Sequence, residues 1–237
     1  KTNSKKYYFR WLHKNQAKTL LEIFFHKEKL AWRNKYKTYE TEIIYLLEWL
    51  KEIDERIFFQ RASVFSRNVE KAEKLLKEFN PRIPKLMNST VESSNINKIR
   101  AFVNNKEIDR NDINQQYNSI EIVRQTELFD KIEKNPLTNE QRRSVIIDED
   151  ANLVIAAAGS GKTSVIVAKT AWLIAKELRK PQDLLLLAFA RDAKIEMSDR
   201  LTERIKHPDA KDISVHTFHS LGLEIIGHTT DEKPSLS

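Results

Sequence analysis

The stretch Val154–Ile166 reads "VIAAAGSGKTSVI". An apolar, β-branched start runs into small residues, then a Lys-Thr pair, then apolar residues again. The pattern predicts a buried strand, a tight loop and the start of a helix. The eight residues from Ala156 to Thr163 fit a phosphate-cradling loop at every position but the first, where Ala156 stands in place of glycine. Ala156, Ala157, Ala158, Gly159, Ser160 and Gly161 are small enough for successive backbone N–H groups to turn inward around phosphate oxygens. A helix opening near Lys162 adds the positive end of its dipole. The Lys162 ammonium then reaches the terminal phosphates of a nucleotide, and the Thr163 hydroxyl ligates Mg²⁺.

Around this loop, apolar strands alternate with helices. Residues 152–156 form the first expected strand, followed by a helix over 163–178 with Val165, Ala168, Ala171, Trp172 and Ala175 on its inner side. "DLLLLAFA" (183–190) is a second buried strand, "RDAKIEMSDRLTERI" (191–205) a helix, "ISVH" (213–216) a third strand, and "TFHSLGLEII" (217–226) the start of another helix. Continuous apolar strands alternating with helices predict an α/β fold: a parallel sheet with helices on both faces.

The first 134 residues have a different grammar. The chain holds four glycines, all beyond residue 158, so this part lacks the turn chemistry of β-rich folds. Apolar residues at three- and four-residue steps predict one long helix or two over 16–51, using Leu20, Leu21, Phe24, Phe25, Leu30, Ala31, Ile43, Ile44, Leu47, Trp49 and Leu50. A further helix over 68–79 stops at Asn80-Pro81. A polar linker covers 87–95, and helices resume over 96–103 and 110–134. In the last of these, Ile113, Tyr117, Ile120, Val123, Leu128 and Ile132 form one expected buried stripe, ended by Pro136. The expected division is a basic α-helical accessory region, 1–134, and a nucleotide-binding region, 135–237.

Charge follows the same division. Residues 1–100 hold 22 Lys/Arg against 12 Asp/Glu, and 15 of the 21 aromatic residues of the chain. A basic, aromatic-rich half suits a nucleic acid, through phosphate contacts and base stacking, or a protein partner across a solvated helical surface. No apolar run of membrane-spanning length is readable, and "KTNSKKYYFRWLHKNQ" lacks the features of a secretory signal. With no cysteine, disulfides are excluded and a cytoplasmic setting is the expectation.

Shortly ahead of the loop stands "PLTNEQRRSVI" (136–146), with Thr138 as a helix N-cap. This Leu, Gln and Arg before a phosphate loop resembles the Q motif of UvrD/Rep-type superfamily 1 DNA helicases. The resemblance implies ATP as the nucleotide, with the Gln141 amide reading the adenine edge, alongside Mg²⁺. "LLAFARDAKIEM" (186–197) and "VHTFHSLGLEII" (215–226) resemble the next two motifs in order. They imply contacts to single-stranded DNA by Phe189, Ala190 and Arg191, and by Thr217, Phe218 and His219. An exposed Phe suits base stacking, and a hydroxyl at a helix start suits a phosphate. Phe189-Ala190-Arg191, together with Ser164 where an Arg is commoner, is similar to the helicase IV-like branch of this group. The missing Arg leaves base recognition more dependent on Gln141.

The resemblance therefore implies part of a RecA-like P-loop NTPase domain and an ATP-dependent helicase moving 3′→5′ on single-stranded DNA. Such an engine also needs an Asp-Glu pair after an apolar strand to complete Mg²⁺ coordination. The pairs present, Asp148-Glu149, Glu149-Asp150 and Asp231-Glu232, follow no such strand. The sequence is thus expected to be an N-terminal portion ending before that motif and inactive alone. Two alternatives stay open: a UvrD-like ATPase in RNA polymerase displacement or defence, and a nucleotide- and DNA-binding protein without turnover.

Overall fold

The computed structural model describes residues 2–79, 90–105, 109–208 and 210–230. Two compact units emerge, residues 1–115 and 116–237. The division falls inside a helix, ahead of the change in sequence character after Pro136. The Asn80-Pro81 stop, part of the 87–95 linker and the Asp231-Glu232 pair lie outside the described residues.

The first unit is helical: α1 (Thr2–Thr38), α2 (Glu40–Glu55), α3 (Ala62–Glu78), α4 (Val91–Asn104) and the first part of α5 (Arg110–Arg124). Of the one long helix or two expected over 16–51, the structure has two, parted at Tyr39. Its core takes Trp32, Tyr36, Ile43, Leu46, Trp49, Ile53, Leu75, Phe79, Ile96, Ile99 and Ile113. Aromatic edges close the gaps, with Trp49 and Phe102 ring centroids 5.2 Å apart and Trp32 and Phe79 5.6 Å apart. Leu20, Leu21, Phe24, Phe25, Leu30 and Ala31 instead lie exposed on α1, as no described element packs beside that part of the helix. Helical spacing shows that residues share a face, not that the face has a partner.

Two corrections come from short polar side chains. The Thr90 hydroxyl accepts from the Ser93 backbone N–H at 3.2 Å, so α4 begins at Val91 and residues 91–95 are helix rather than linker. The expected 110–134 helix breaks at Gln125 into α5 and α6 (Thr126–Lys131). There the Thr126 hydroxyl donates to the Val123 carbonyl at 2.9 Å, offering the backbone a local alternative to the helix ladder. The predicted stripe holds only in part: Ile113, Tyr117 and Ile132 are buried, while Ile120 and Val123, ahead of the break, face solvent.

The second unit adds α7 (Asn139–Ile146), α8 (Lys162–Ala175), β1 (Leu185–Ala188), α9 (Arg191–Arg204), β2 (Ser214–Thr217) and α10 (Phe218–Thr230). It is mostly helical, with a small sheet of two parallel strands in which Leu185 pairs with Ser214 and Ala188 with Thr217. The parallel arrangement is as expected, but its extent is smaller. Residues 152–156 form no strand, and Leu153 and Ile155 are 85% and 87% exposed. An apolar segment becomes a strand only when a neighbour meets its backbone groups, and β1 and β2 meet only each other among the described residues. β1 is buried on one face only: Leu186 and Ala188 are covered, while Leu185 and Leu187 are not. Ala175, expected inside, is exposed, and Val167 and Ile174 are buried in addition.

The core of this unit gathers around α8, where Val165, Val167, Ala168, Ala171, Trp172 and Ile174 meet Phe129, Val145, Ile146, Leu186, Met197 and Leu201. A fully buried carboxylate, Glu121 of α5, lies among them. It accepts from Trp172 Nε1 at 3.0 Å and Gln125 Nε2 at 3.0 Å, and pairs with Lys176 Nζ at 3.2 Å. Burial, and then this carboxylate, push the Tyr117 phenol above its ordinary range. Removing Glu121 strands Lys176 and the Trp172 N–H. Glu121→Ala should therefore lower the unfolding free energy by about 3 kcal/mol, read as an earlier urea midpoint. Glu121→Gln, which keeps an acceptor for Trp172, should cost less. Equal midpoints for all three proteins would remove this network from the core's stability.

Candidate functional site

The loop from Ala156 to Ser160 is solvent-exposed throughout. Gly159 and Gly161 adopt φ of 75° and 84°, values that side chains with a Cβ tolerate poorly. Gly161 is the N-cap of α8 and supplies no side-chain cap, so the first N–H groups of the helix face outward without a protein acceptor from the cap. Ser160 closes the turn beneath: its N–H and its hydroxyl both donate to the Ala157 carbonyl, at 3.3 and 2.7 Å. Lys162 folds back across the loop, donating to the Ala157 carbonyl at 2.7 Å and the Ala156 carbonyl at 3.3 Å. Thr163 and Ser164 follow in the first turn, both half-buried.

Gln141 is brought against this loop. The Thr138 hydroxyl accepts from the Gln141 backbone N–H at 3.4 Å, while the Gln141 Oε1 accepts from the Thr138 N–H at 2.8 Å. This reciprocal cap fixes the start of α7. The same side chain donates through Nε2 to the Ser160 carbonyl at 3.0 Å. A primary amide has two N–H donors and two acceptor lone pairs. The two bonds use one of each, leaving one donor and one acceptor, the pair an adenine edge presents a match for. Beside it, the Glu140 carboxylate is held below the usual range by its own backbone N–H and then by the Thr138 hydroxyl.

Phe189 and Phe218 emerge together. Each follows the last paired residue of its strand, Ala188 and Thr217, so both leave the same end of the parallel pair. Phe189 is 92% exposed and Phe218 62% exposed, far from ordinary for rings free to enter a core. Ala190 is the N-cap of α9, with Arg191 its first residue, and neither is buried. Thr217 is occupied locally. Its hydroxyl accepts from the Ser220 N–H at 3.1 Å, and its own N–H donates to Ser220 Oγ at 2.9 Å, so it caps α10. His219 is exposed in the first turn of that helix. Among the described residues no cluster of three His, Asp or Glu side chains is placed to hold a metal ion, and no helix is long and apolar enough to cross a membrane.

One residue of this site was not singled out from the sequence. Lys169 of α8 donates to the carbonyls of Val145 and Ile147 at 3.1 and 2.6 Å, at the far end of α7. The signal available was a lone charge inside "SVIVAKTAWLIA", two helical turns beyond Lys162.

Residues 137–235 match the UvrD/REP helicase N-terminal domain family. Over 140 residues it is 39% identical to DNA helicase IV of Escherichia coli, covering 59% of this chain and 20% of that protein. It is 40% identical over 91 residues to the ATP-dependent DNA helicase Rep of Buchnera aphidicola, covering 38% of this chain and 14% of the other. The ATP-dependent DNA helicase PcrA of Bacillus subtilis is 36% identical over 91 residues, covering 38% and 12%. The resemblance to UvrD/Rep-type helicases, with a likeness to helicase IV, is borne out. The chain spans about a fifth or less of the length of these relatives.

The close approach at Gly161 can be tested. A Cβ there would lie 2.5 Å from Gln141 Nε2, on a backbone with positive φ. Gly161→Ala should cost about 1–2 kcal/mol from the left-handed backbone alone, and should also displace the Gln141 amide. Adding Gln141→Ala should remove the steric part and leave the backbone part. Strict additivity of the two substitutions in thermal denaturation would show that the side chains do not meet.

Proposed function

We propose that residues 135–237 are part of a RecA-like ATP-binding domain in a DNA helicase that moves 3′→5′ on single-stranded DNA. The observation that carries the reading is the loop itself. Two left-handed glycines, an uncapped helix start and a lysine ammonium at the loop's carbonyls converge beside a glutamine amide with one donor and one acceptor to spare. These residues fit a magnesium nucleoside triphosphate. The backbone N–H groups of Gly159 to Thr163 would hold the β- and γ-phosphate oxygens, and Lys162 would neutralise their charge once released from Ala156 and Ala157. The Thr163 hydroxyl would ligate Mg²⁺, whose other positions fall to phosphate oxygens and water. Gln141 would read the adenine edge. When bound, ATP supplies the free energy for movement along the strand.

Phe189 and Phe218 are proposed to stack on DNA bases, with Arg191 and His219 at phosphates and Ala190 and Thr217 shaping the two helix starts. Their exposure and shared edge support this. Residues 1–134 are proposed as an accessory region whose basic excess favours a nucleic acid.

Two outcomes are expected. Lys162→Ala should lower Mg·ATP affinity about ten- to a hundredfold, the size of a lost charge-assisted hydrogen bond, with an unchanged circular dichroism spectrum because the side chain is exposed. Unaltered affinity in a calorimetric titration would sink the assignment. Phe189→Ala and Phe218→Ala should each weaken binding to a single-stranded oligonucleotide about fivefold or more, from roughly 1–3 kcal/mol per stacked base. Fluorescence anisotropy curves that overlay the unsubstituted protein would remove these rings from the DNA path.

A further inference from the structure

Helix α7 has eight residues, too few to hold its own shape or direction in water. Its placement therefore comes from tertiary contacts: Val145 and Ile146 packed in the core, and what grips its two ends. The first end is gripped at the loop, where Gln141 donates to the Ser160 carbonyl. The second end is gripped by α8. Lys169 Nζ donates to the carbonyls of Val145, in the last turn of α7, and Ile147, its C-cap, while its ammonium lies over the Trp172 ring at 5.5 Å from the centroid. A cation here meets helix-end carbonyls that lack intrahelical partners, the Ile147 one shared with Asn152 Nδ2 at 3.3 Å, and the negative end of the α7 dipole. The part-buried setting makes both contacts stronger than on an open surface.

Lys162 and Lys169 stand two turns apart on one helix, and so on one face. One reaches the loop, and the other reaches the helix that carries Gln141. The distance between loop and glutamine is thus set by a rigid segment of α8 with a lysine at each end. We propose that Lys169 is a positioning residue for base recognition: by clamping the C-terminal end of α7, it holds the Gln141 amide at the height above the phosphate loop that an adenine requires. It touches no nucleotide itself. Loss of the clamp leaves the loop and the buried Val145 and Ile146 in place but loosens the C-terminal end of α7, so the base is read loosely while the phosphates are held as before.

This inference rests on the reading of Gln141 as the adenine contact, and the experiment separates the two. Affinities of the full chain for Mg·ATP, Mg·GTP and inorganic tripolyphosphate with Mg²⁺ are measured for the unsubstituted protein, Gln141→Ala, Lys169→Met and Lys169→Arg. Gln141→Ala should erase the preference for ATP over GTP and spare tripolyphosphate. Lys169→Met should do the same, with ATP affinity falling about tenfold, as for one lost hydrogen-bonded contact. Lys169→Arg, which still donates to carbonyls, should restore most of the preference. If Lys169→Met fails to fold, Lys169→Gln, shorter and uncharged, carries the same expectation. Equal losses for ATP and tripolyphosphate would make Lys169 a general structural residue and overturn the inference. So would an unchanged preference in the Lys169 variants while Gln141→Ala loses it. A preference untouched by Gln141→Ala would overturn the adenine reading itself, and the inference with it.

Discussion

The second unit depends on a charge placed where charges are costly. Glu121 is fully buried, yet each of its contacts comes from a donor: the Trp172 indole, the Gln125 amide and the Lys176 ammonium. A carboxylate in an apolar core is stable only when such partners are fixed around it. That requirement sets the rotation of α8 about its axis, because Trp172 and Lys176 must face α5 together. With the helix so turned, Lys169 meets the end of α7, and the opposite end of α8 opens towards solvent at Gly161. The loop is thus oriented by a part-buried ion pair about four helical turns away from it.

Much of the fold was legible because the relevant physics is local. Thr138 before "NEQ" marks a capped helix start, and Gly159 and Gly161 mark backbone that other residues resist. The elements α7, α8, α9 and α10, and the parallel pairing of β1 with β2, follow from such signals and from apolar alternation. Non-local facts were not legible. Residues 152–156 are as apolar as any strand, but a ladder needs a neighbour that periodicity does not reveal. The same is true of α1, where Leu20, Phe24 and Phe25 share helical spacing with Trp32 and Tyr36, and only the latter pair meets a core.

The candidate site divides along the same line. The loop residues were read from type and spacing, and Gln141 from the resemblance to the Q motif; the structure brings Gln141 to Ser160. The hydroxyl of Thr217 looked available for a phosphate, but Ser220 three residues later engages it. A serine so placed is visible in the sequence, and its competition for the threonine could have been anticipated. Lys169 was hidden because its role depends on two carbonyls, which no side-chain pattern encodes.

The folded-back lysine of the loop has a consequence of its own. Lys162 meets two carbonyl dipoles, so its ammonium already has two acceptors within the loop. Any anion must outbid both carbonyls before it gains the ammonium. A single weak charge such as chloride offers one contact in exchange for two and gains little. A chain of phosphates brings several charges and oxygens at once, enough to draw the lysine away and engage the helix N–H groups in the same step. On the proposed reading, the tethered cation would act as a threshold that favours anions bringing several charges at once.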